Sequence, residues 1–324
     1  MKSFLLKIRQ RPEAGSFLGF VVFFIIFSIF GDQFFTLGNQ TSLFTLTAEL
    51  GIICIGVGFL MISGEFDLSV GSVYALGGIV FMMLAPHMHS LFALAIVLLI
   101  AASIGWFNGY VTTKHLIPSF LVTLSMMLII RGLIYMITSG RITSHKGDLF
   151  VLTFFSAKMS NLPGFLSDFR PSHLWFIGLL ILFHYILFNT RYGNHVFATG
   201  VNKPAAVRMG LNTDWIKTKN FMICSCFAAL SGVIAVSRFR MGSPNIGLGM
   251  ELEVIAAAVI GGISLYGGTG AIIGILFSAF LICMIRNGLL LMGAPPYWYS
   301  AFVGVIVLIS TIVNIKLQPR KSKF

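Results

Sequence analysis

The stretch MISGEFDLSVGSVYALGG, residues 61–78, sets two carboxylates, Glu65 and Asp67, and four glycines, at 64, 71, 77 and 78, within a long apolar region. A carboxylate surrounded by hydrocarbon is costly, so each of these must face protein, water or an interface, or be neutralised. Recurrent glycine interrupts the apolar helical pattern on both sides, and the helices around 43–85 therefore read as broken or re-entrant elements. Asp67 directly precedes Leu68, Ser69 and Val70, where a carboxylate accepts backbone N–H bonds at a helix start. Glu65, at the edge of the break, reads as a solvated or salt-bridged carboxylate.

Working outward, the same apolar character extends over the whole chain. Of 324 residues 57% are hydrophobic and only 10% charged, with a mean hydropathy of +0.93. Ordinary soluble domains carry about 25% charged residues. Segments such as 17–30 and 175–188 offer almost no polar face, which excludes a soluble enzyme. Long continuous runs, in place of short alternating ones, exclude a strand barrel. The expectation is an all-α polytopic membrane protein with about ten spans, each near the length of about 20 residues that a bilayer requires. They fall near 16–35, 43–63, 68–85, 91–112, 119–138, 172–189, 220–237, 250–265, 270–286 and 297–315. The segments around 250–286, joined by a short Gly-rich connection, share the broken or re-entrant reading.

Lys and Arg set the orientation. With the N-terminus inside, fourteen fall on the cytoplasmic side and six outside, which places both termini in the cytoplasm. The net charge of +12 follows from these loops and does not indicate nucleic-acid binding. Cys54, Cys224, Cys226 and Cys283 lie in apolar segments as free thiols, and no Cys/His spacing resembles a metal site. His87 and His89, on one short outer turn, do not make one. The first apolar run lacks a small-residue cleavage site and reads as a retained helix. Residues 1–324 form one transmembrane domain, with a long outer loop at 139–171 and a long basic inner loop at 190–219. There is no GxxxxGK[ST] phosphate-binding loop, so the chain does not hydrolyse ATP by itself.

Two blocks recur in the same order. GEFDLSVGSVYALG at 64–77 aligns with GGISLYGGTGAIIG at 261–274, and the Asn-Gly pair at Asn108 echoes that at Asn287. Related halves of roughly 43–138 and 220–315 are expected, an arrangement that places a solute route at their interface.

The first block, Ser63 to Ser72, resembles the S-G-G-x-D-L-S-V-G-S pattern of ribose-type permeases. Gly261-Gly262 through Ser264, Leu265, Gly267, Gly268 and Gly270 is similar to that family's G-G-x-S-L-x-G-G-x-G pattern. The inner segment 198–211 is similar to A-x-G-x-N-x-x-A-A-x-x-x-G-I. On these motifs the chain resembles the permease subunits of bacterial ATP-binding-cassette importers for simple sugars, within a superfamily that includes branched-chain amino acid permeases. The departure is Glu65, where that family usually has glycine.

The resemblance implies the fold of type II importer permeases, in the inner membrane. Its implied partners are a cytoplasmic ATPase, an extracytoplasmic solute-binding protein and a second identical or homologous permease. ATP and Mg would sit on the ATPase, and no cofactor is expected on this chain. It assigns Gly200, Asn202, Pro204, Ala205, Ala206, Arg208 and Gly210 to a coupling helix: small residues for close approach, proline for a first turn, Gly210 as a stop. Asp67, Ser69, Gly71, Asn108, Gly261, Gly262, Ser264, Gly268 and Asn287 are the candidates for the translocation path or gate. For Asp67 the helix-capping and path-lining readings both stand; for the two asparagines, interhelical bonding and solute contact. Arg238 and Arg240, on the outer side against the charge bias, are candidates for docking the binding protein. A Glu49–Arg131 ion pair is expected inside the bundle. The alternative function is a carrier driven by an ion gradient, which would set more acidic residues within its spans and need no ATPase.

Overall fold

The computed structural model describes residues 14–144, 150–158, 168–295 and 297–317. The first half contains α1 (Ala14–Phe30), α2 (Leu37–Ile62), α3 (Val70–Leu84), α4 (Ser90–Lys114) and α5 (Ser119–Thr138). A two-residue strand β1 (Thr143–Ser144) and a short helix α6 (Phe150–Ser156) follow. Next come α7 (Pro171–Asn189), α8 (Arg191–Val201), α9 (Lys203–Arg208) and α10 (Thr213–Phe239). The chain continues through β2 (Met241–Gly242), α11 (Met250–Ile260), α12 (Ile273–Leu291) and α13 (Trp298–Leu317).

α10 is the axis of the bundle. It packs against α2, α3 and α4, and most of its length is buried. Close packing needs small residues, because lipid tails are as apolar as leucine and helices in a bilayer gain little from hydrophobicity alone. Gly77 of α3 and Gly105 of α4 meet this need. A Cβ would stand 2.7 Å from Ala229 Cα at the first and 2.7 Å from Met222 Cα at the second. α4 and α5 by contrast turn Leu99, Phe92, Leu128 and Met136 outward, as helices facing lipid do.

Among the described residues, six helices are long and apolar enough to cross a membrane: α2, α4, α5, α7, α10 and α12. The expected spans beside the two glycine blocks are shorter than expected. α3 has 15 residues and α11 has 11. Both adjoin the glycine blocks, and the intervening chain is irregular backbone folded into the bundle. Residues 63–69 are thus a helix break and not a hairpin between two full spans. The Asp67–Ser69 stretch runs back between α4 and α5, because Ser69 bonds Asn108, six residues before the end of α4, or about 9 Å at 1.5 Å per residue.

The glycine breaks share one end of the bundle with α8 and α9. At the opposite end β1 pairs antiparallel with β2, joining the chain after α5 to the chain after α10. The outer-loop expectation at 139–171 lies partly outside the described residues. Among the cysteines, Cys54, Cys224 and Cys283 are buried free thiols and Cys226 is half-buried.

Gly77→Leu is expected to destabilise the α3–α10 contact by about 1–3 kcal/mol through overpacking. Gly132→Leu, where nothing lies within 4 Å of an added Cβ, is expected to be near neutral. Thermal unfolding of the detergent-solubilised protein compares the two.

Candidate functional site

Helices that stop inside an apolar bundle leave carbonyls that need donors. α2 stops at Ile62, and the Ile62 carbonyl accepts from Gly268 N–H at 2.8 Å. Gly268 belongs to the second glycine block and holds φ +76°, a conformation that L side chains rarely adopt. A Cβ on the neighbouring Gly267 would come 2.8 Å from Gly64 Cα. The two blocks recognised as related in the sequence are therefore in direct backbone contact. Gly200, at the end of α8, completes the junction: a Cβ there would collide with the Ile62 carbonyl and stand 2.6 Å from Gly268 N.

Asp67 and Ser69 of the first block form one buried cluster with Asn108 of α4, each fully enclosed. Asp67 Oδ1 accepts from Ser69 N at 2.7 Å and from Ser69 Oγ at 2.5 Å. Asn108 Nδ2 donates to Ser69 Oγ at 3.2 Å. Asp67 thus closes a two-residue turn onto Ser69, the residue just before α3, and no side chain caps the first N–H groups of the helix itself. Asp67 Oδ2 and Asn108 Oδ1 are buried without a partner. The rest of the break is held from α5: Phe66 N–H donates to Ser119 Oγ at 3.2 Å and Leu68 N–H to Thr123 Oγ1 at 3.0 Å. Sequence reading passed over Ser119 and Thr123, which are two of many hydroxyls in apolar helices.

Gly71 lies in the first turn of α3 against the backbone of Gly247 and the Glu251 carboxylate. In the second block Gly261 caps α11, Gly262 has φ +91°, and Ser264 N–H donates to Thr269 O at 3.0 Å. Ser264 Oγ accepts from Tyr266 N–H at 3.2 Å. These three build the loop that presents Gly268. Asn287 is elsewhere. Its Nδ2 donates to Asn39 Oδ1 at 2.8 Å, in the first turn of α2 and far from the junction at Ile62. Asn108 and Asn287 consequently sit at opposite ends. The first block leads into α3 and Asn108 comes one helix later on α4, whereas the second leads directly into the helix that carries Asn287.

Glu65 has a partner that sequence gave no means of finding, Lys217 of α10, 152 positions away. The expected Glu49–Arg131 pair does not form. Glu49 binds Arg238 in a fork, Nε–Oε1 at 2.8 Å and Nη2–Oε2 at 3.0 Å. Arg131 instead donates to the carbonyls of Pro244, at 2.8 Å, and Ile246, at 3.1 Å. Arg238 is therefore turned inward, which corrects its expected place in a docking pair. Arg240 is exposed, in a left-handed conformation.

The coupling segment folds as α8, Asn202 and α9. Asn202 caps α9 by accepting from Ala205 N–H at 3.0 Å, with Pro204 in the first turn. Gly210, at φ +85°, ends the turn after Arg208. Ala206 is buried, while Ala205, Val207, Arg208 and Met209 are exposed. Lys203 reaches Asp214 at the foot of α10, at 2.7 Å.

The sequence signature described as "Branched-chain amino acid transport system / permease component" matches residues 39–311. The ribose import permease protein RbsC of Escherichia coli (strain K12) is 32% identical over 316 residues, covering 94% of each chain. RbsC of Haemophilus influenzae is 31% identical, covering 95% of each. The autoinducer 2 import system permease protein LsrC of Photorhabdus luminescens is 30% identical, covering 96% of this chain and 92% of its own. No solved structure matches.

An amide at 67 keeps the acceptor for Ser69 and supplies a donor beside Asn108. Asp67→Asn is thus expected to fold with near-normal stability, while Asp67→Leu strands the Ser69 donors at about 1–3 kcal/mol each. Removing the carboxylate by Glu49→Ala leaves the Arg238 charge half-buried and alone, and the expected loss is about 3–5 kcal/mol. Apparent Tm values in detergent read both.

Proposed function

Because the chain belongs to the family of branched-chain amino acid transport system permease components, we propose that it is the membrane subunit of an ATP-driven importer for a neutral sugar or sugar-like solute. The relatives named above import ribose and autoinducer 2, and the similarity spans nearly the whole chain. Within this reading the chain spans the bacterial inner membrane with the α8–α9 end, and both termini, in the cytoplasm. The Lys and Arg bias supports that orientation.

One observation carries the mechanism. α9 projects from the end of the bundle with Val207 52% and Met209 79% exposed, while α8 behind it rests through Gly200 on both glycine blocks. An apolar tip beside Arg208 suits a groove on a cytoplasmic ATPase, whose desolvated pocket would supply the anchor. ATP and Mg act on that partner. Nucleotide binding there would move α9, α8 would carry the movement to the backbone junction, and the glycine breaks would open or close the route. A two-state junction of this kind supports alternating access, since packed interfaces switch between arrangements and do not deform continuously.

The route itself is read as running along a face shared with a second permease. The described cavity of about 460 Å³, lined by Ile96, Leu99, Ile100, Ser103, Ile104, Phe107 and Met126, is apolar and opens between α4 and α5, so it offers a sugar almost no hydrogen bonds. Polar groups instead gather between α11, α12 and α13, where the largely enclosed Glu253 pairs with the exposed Arg286 and Arg286 lies 4.4 Å from the Tyr299 ring centroid. Charged groups at such depth belong against protein or water. An extracytoplasmic binding protein would deliver solute at the β1–β2 end, where Arg240 is exposed.

Ala205→Trp places a large ring on the exposed tip and leaves buried Ala206 untouched. It is expected to weaken capture of the ATPase roughly tenfold or more, equivalent to about 1.4 kcal/mol, and to abolish ATP-driven uptake of labelled D-ribose in vesicles. Co-purification with the wild-type and variant permease is the measurement. Concentrative uptake by the permease alone, driven by an ion gradient, would overturn the assignment.

A further inference from the structure

The glycine break at 63–69 has one ionic tether among its described contacts, Glu65 to Lys217. Both side chains are largely enclosed, at 15% and 10% exposed, so the pair is sheltered from the screening that weakens surface ion pairs. Lys217 stands in the second turn of α10. Three residues earlier on the same helix, and so on a neighbouring part of its surface, Asp214 holds Lys203 of α9. Asn212 fixes this foot by capping α10 through Trp215 N–H at 3.0 Å. Two ion pairs on adjacent turns thus connect α9 to the foot of α10 and the foot of α10 to the break.

We infer that Glu65 is a positioning residue which, through Lys217, ties the glycine break to the foot of α10, so that displacement of α9 moves the break and α10 together. This rests on the proposed coupling role of α9. The tether is separate from the backbone junction at Gly200, Ile62 and Gly268, which passes through α8. It acts on the side of the break facing α10, whereas Ser119 and Thr123 hold the side facing α5. With Glu65 removed, the break keeps its bonds to α5 and to the second glycine block but loses its link to the helix that carries Asp214.

The test uses the full permease co-purified with its ATPase, with hydrogen exchange followed by mass spectrometry with and without a non-hydrolysable ATP analogue. In the wild type, nucleotide is expected to change exchange in both 202–210 and 63–69. In Glu65→Gln and in Lys217→Met the change at 202–210 persists, while that at 63–69 falls several-fold. The charge-swapped pair Glu65→Lys with Lys217→Glu restores it, which a merely structural role for either side chain does not predict. An undiminished response of 63–69 in Glu65→Gln, or a swap no better than the single variants, overturns the inference. A wild-type complex in which 202–210 ignores nucleotide overturns the coupling role of α9 itself, and the tether with it.

Discussion

The bond from Gly268 N–H to the Ile62 carbonyl fixes where everything else in this protein meets. In an apolar bundle a helix that ends without partners leaves carbonyls that neither lipid nor water can satisfy. α2 ends at such a place, and the donor comes from the other half of the chain. For it to arrive, Gly267 and Gly268 adopt positive φ and Gly64 and Gly200 lack side chains, because backbone must lie against backbone. The recurrence of glycine in both blocks thus has a packing cause as well as a local conformational one. The same contact seats α8, so the segment leading to the exposed tip is built onto the breaks themselves.

Buried charge is distributed in three ways around this frame. Glu49 and Arg238 neutralise one another through a bidentate fork inside the bundle. Arg131 spreads its charge over two carbonyls of the loop before α11, at a bend whose carbonyls have no helix to enter. Asp67 places one carboxylate oxygen on Ser69, just ahead of α3, among neutral groups. None of these is arranged like a row of acidic residues along spans, which an ion-driven carrier would call for. Glu65 and Lys217 form a further pair, placed where the irregular backbone meets the foot of α10.

Rigidity and exposure are separated along the chain. α2 and α10 are enclosed and closely packed, while α9 is a six-residue helix with an apolar tip in the open. Asn202 ahead and Gly210 behind cap it, and the buried Ala206 seats it on the bundle. Glu253, Arg286 and Tyr299 join α11, α12 and α13, with Glu253 largely enclosed and Arg286 exposed.

Composition and run length alone determined that this is a helical membrane protein, since 57% hydrophobic residues in continuous stretches admit no soluble core. The glycine blocks and the small-residue foot were also legible, because turns, caps and stops depend on residues a few positions apart. Partners far apart in sequence were not. Glu49 chose Arg238 over Arg131, Glu65 found Lys217, and Asn108 and Asn287 parted to opposite ends, because helix length and direction decide which side chains share a depth. A one-dimensional pattern records neither. It places a charge on a helix, while the rotation and tilt of the packed helices select the opposite charge it meets.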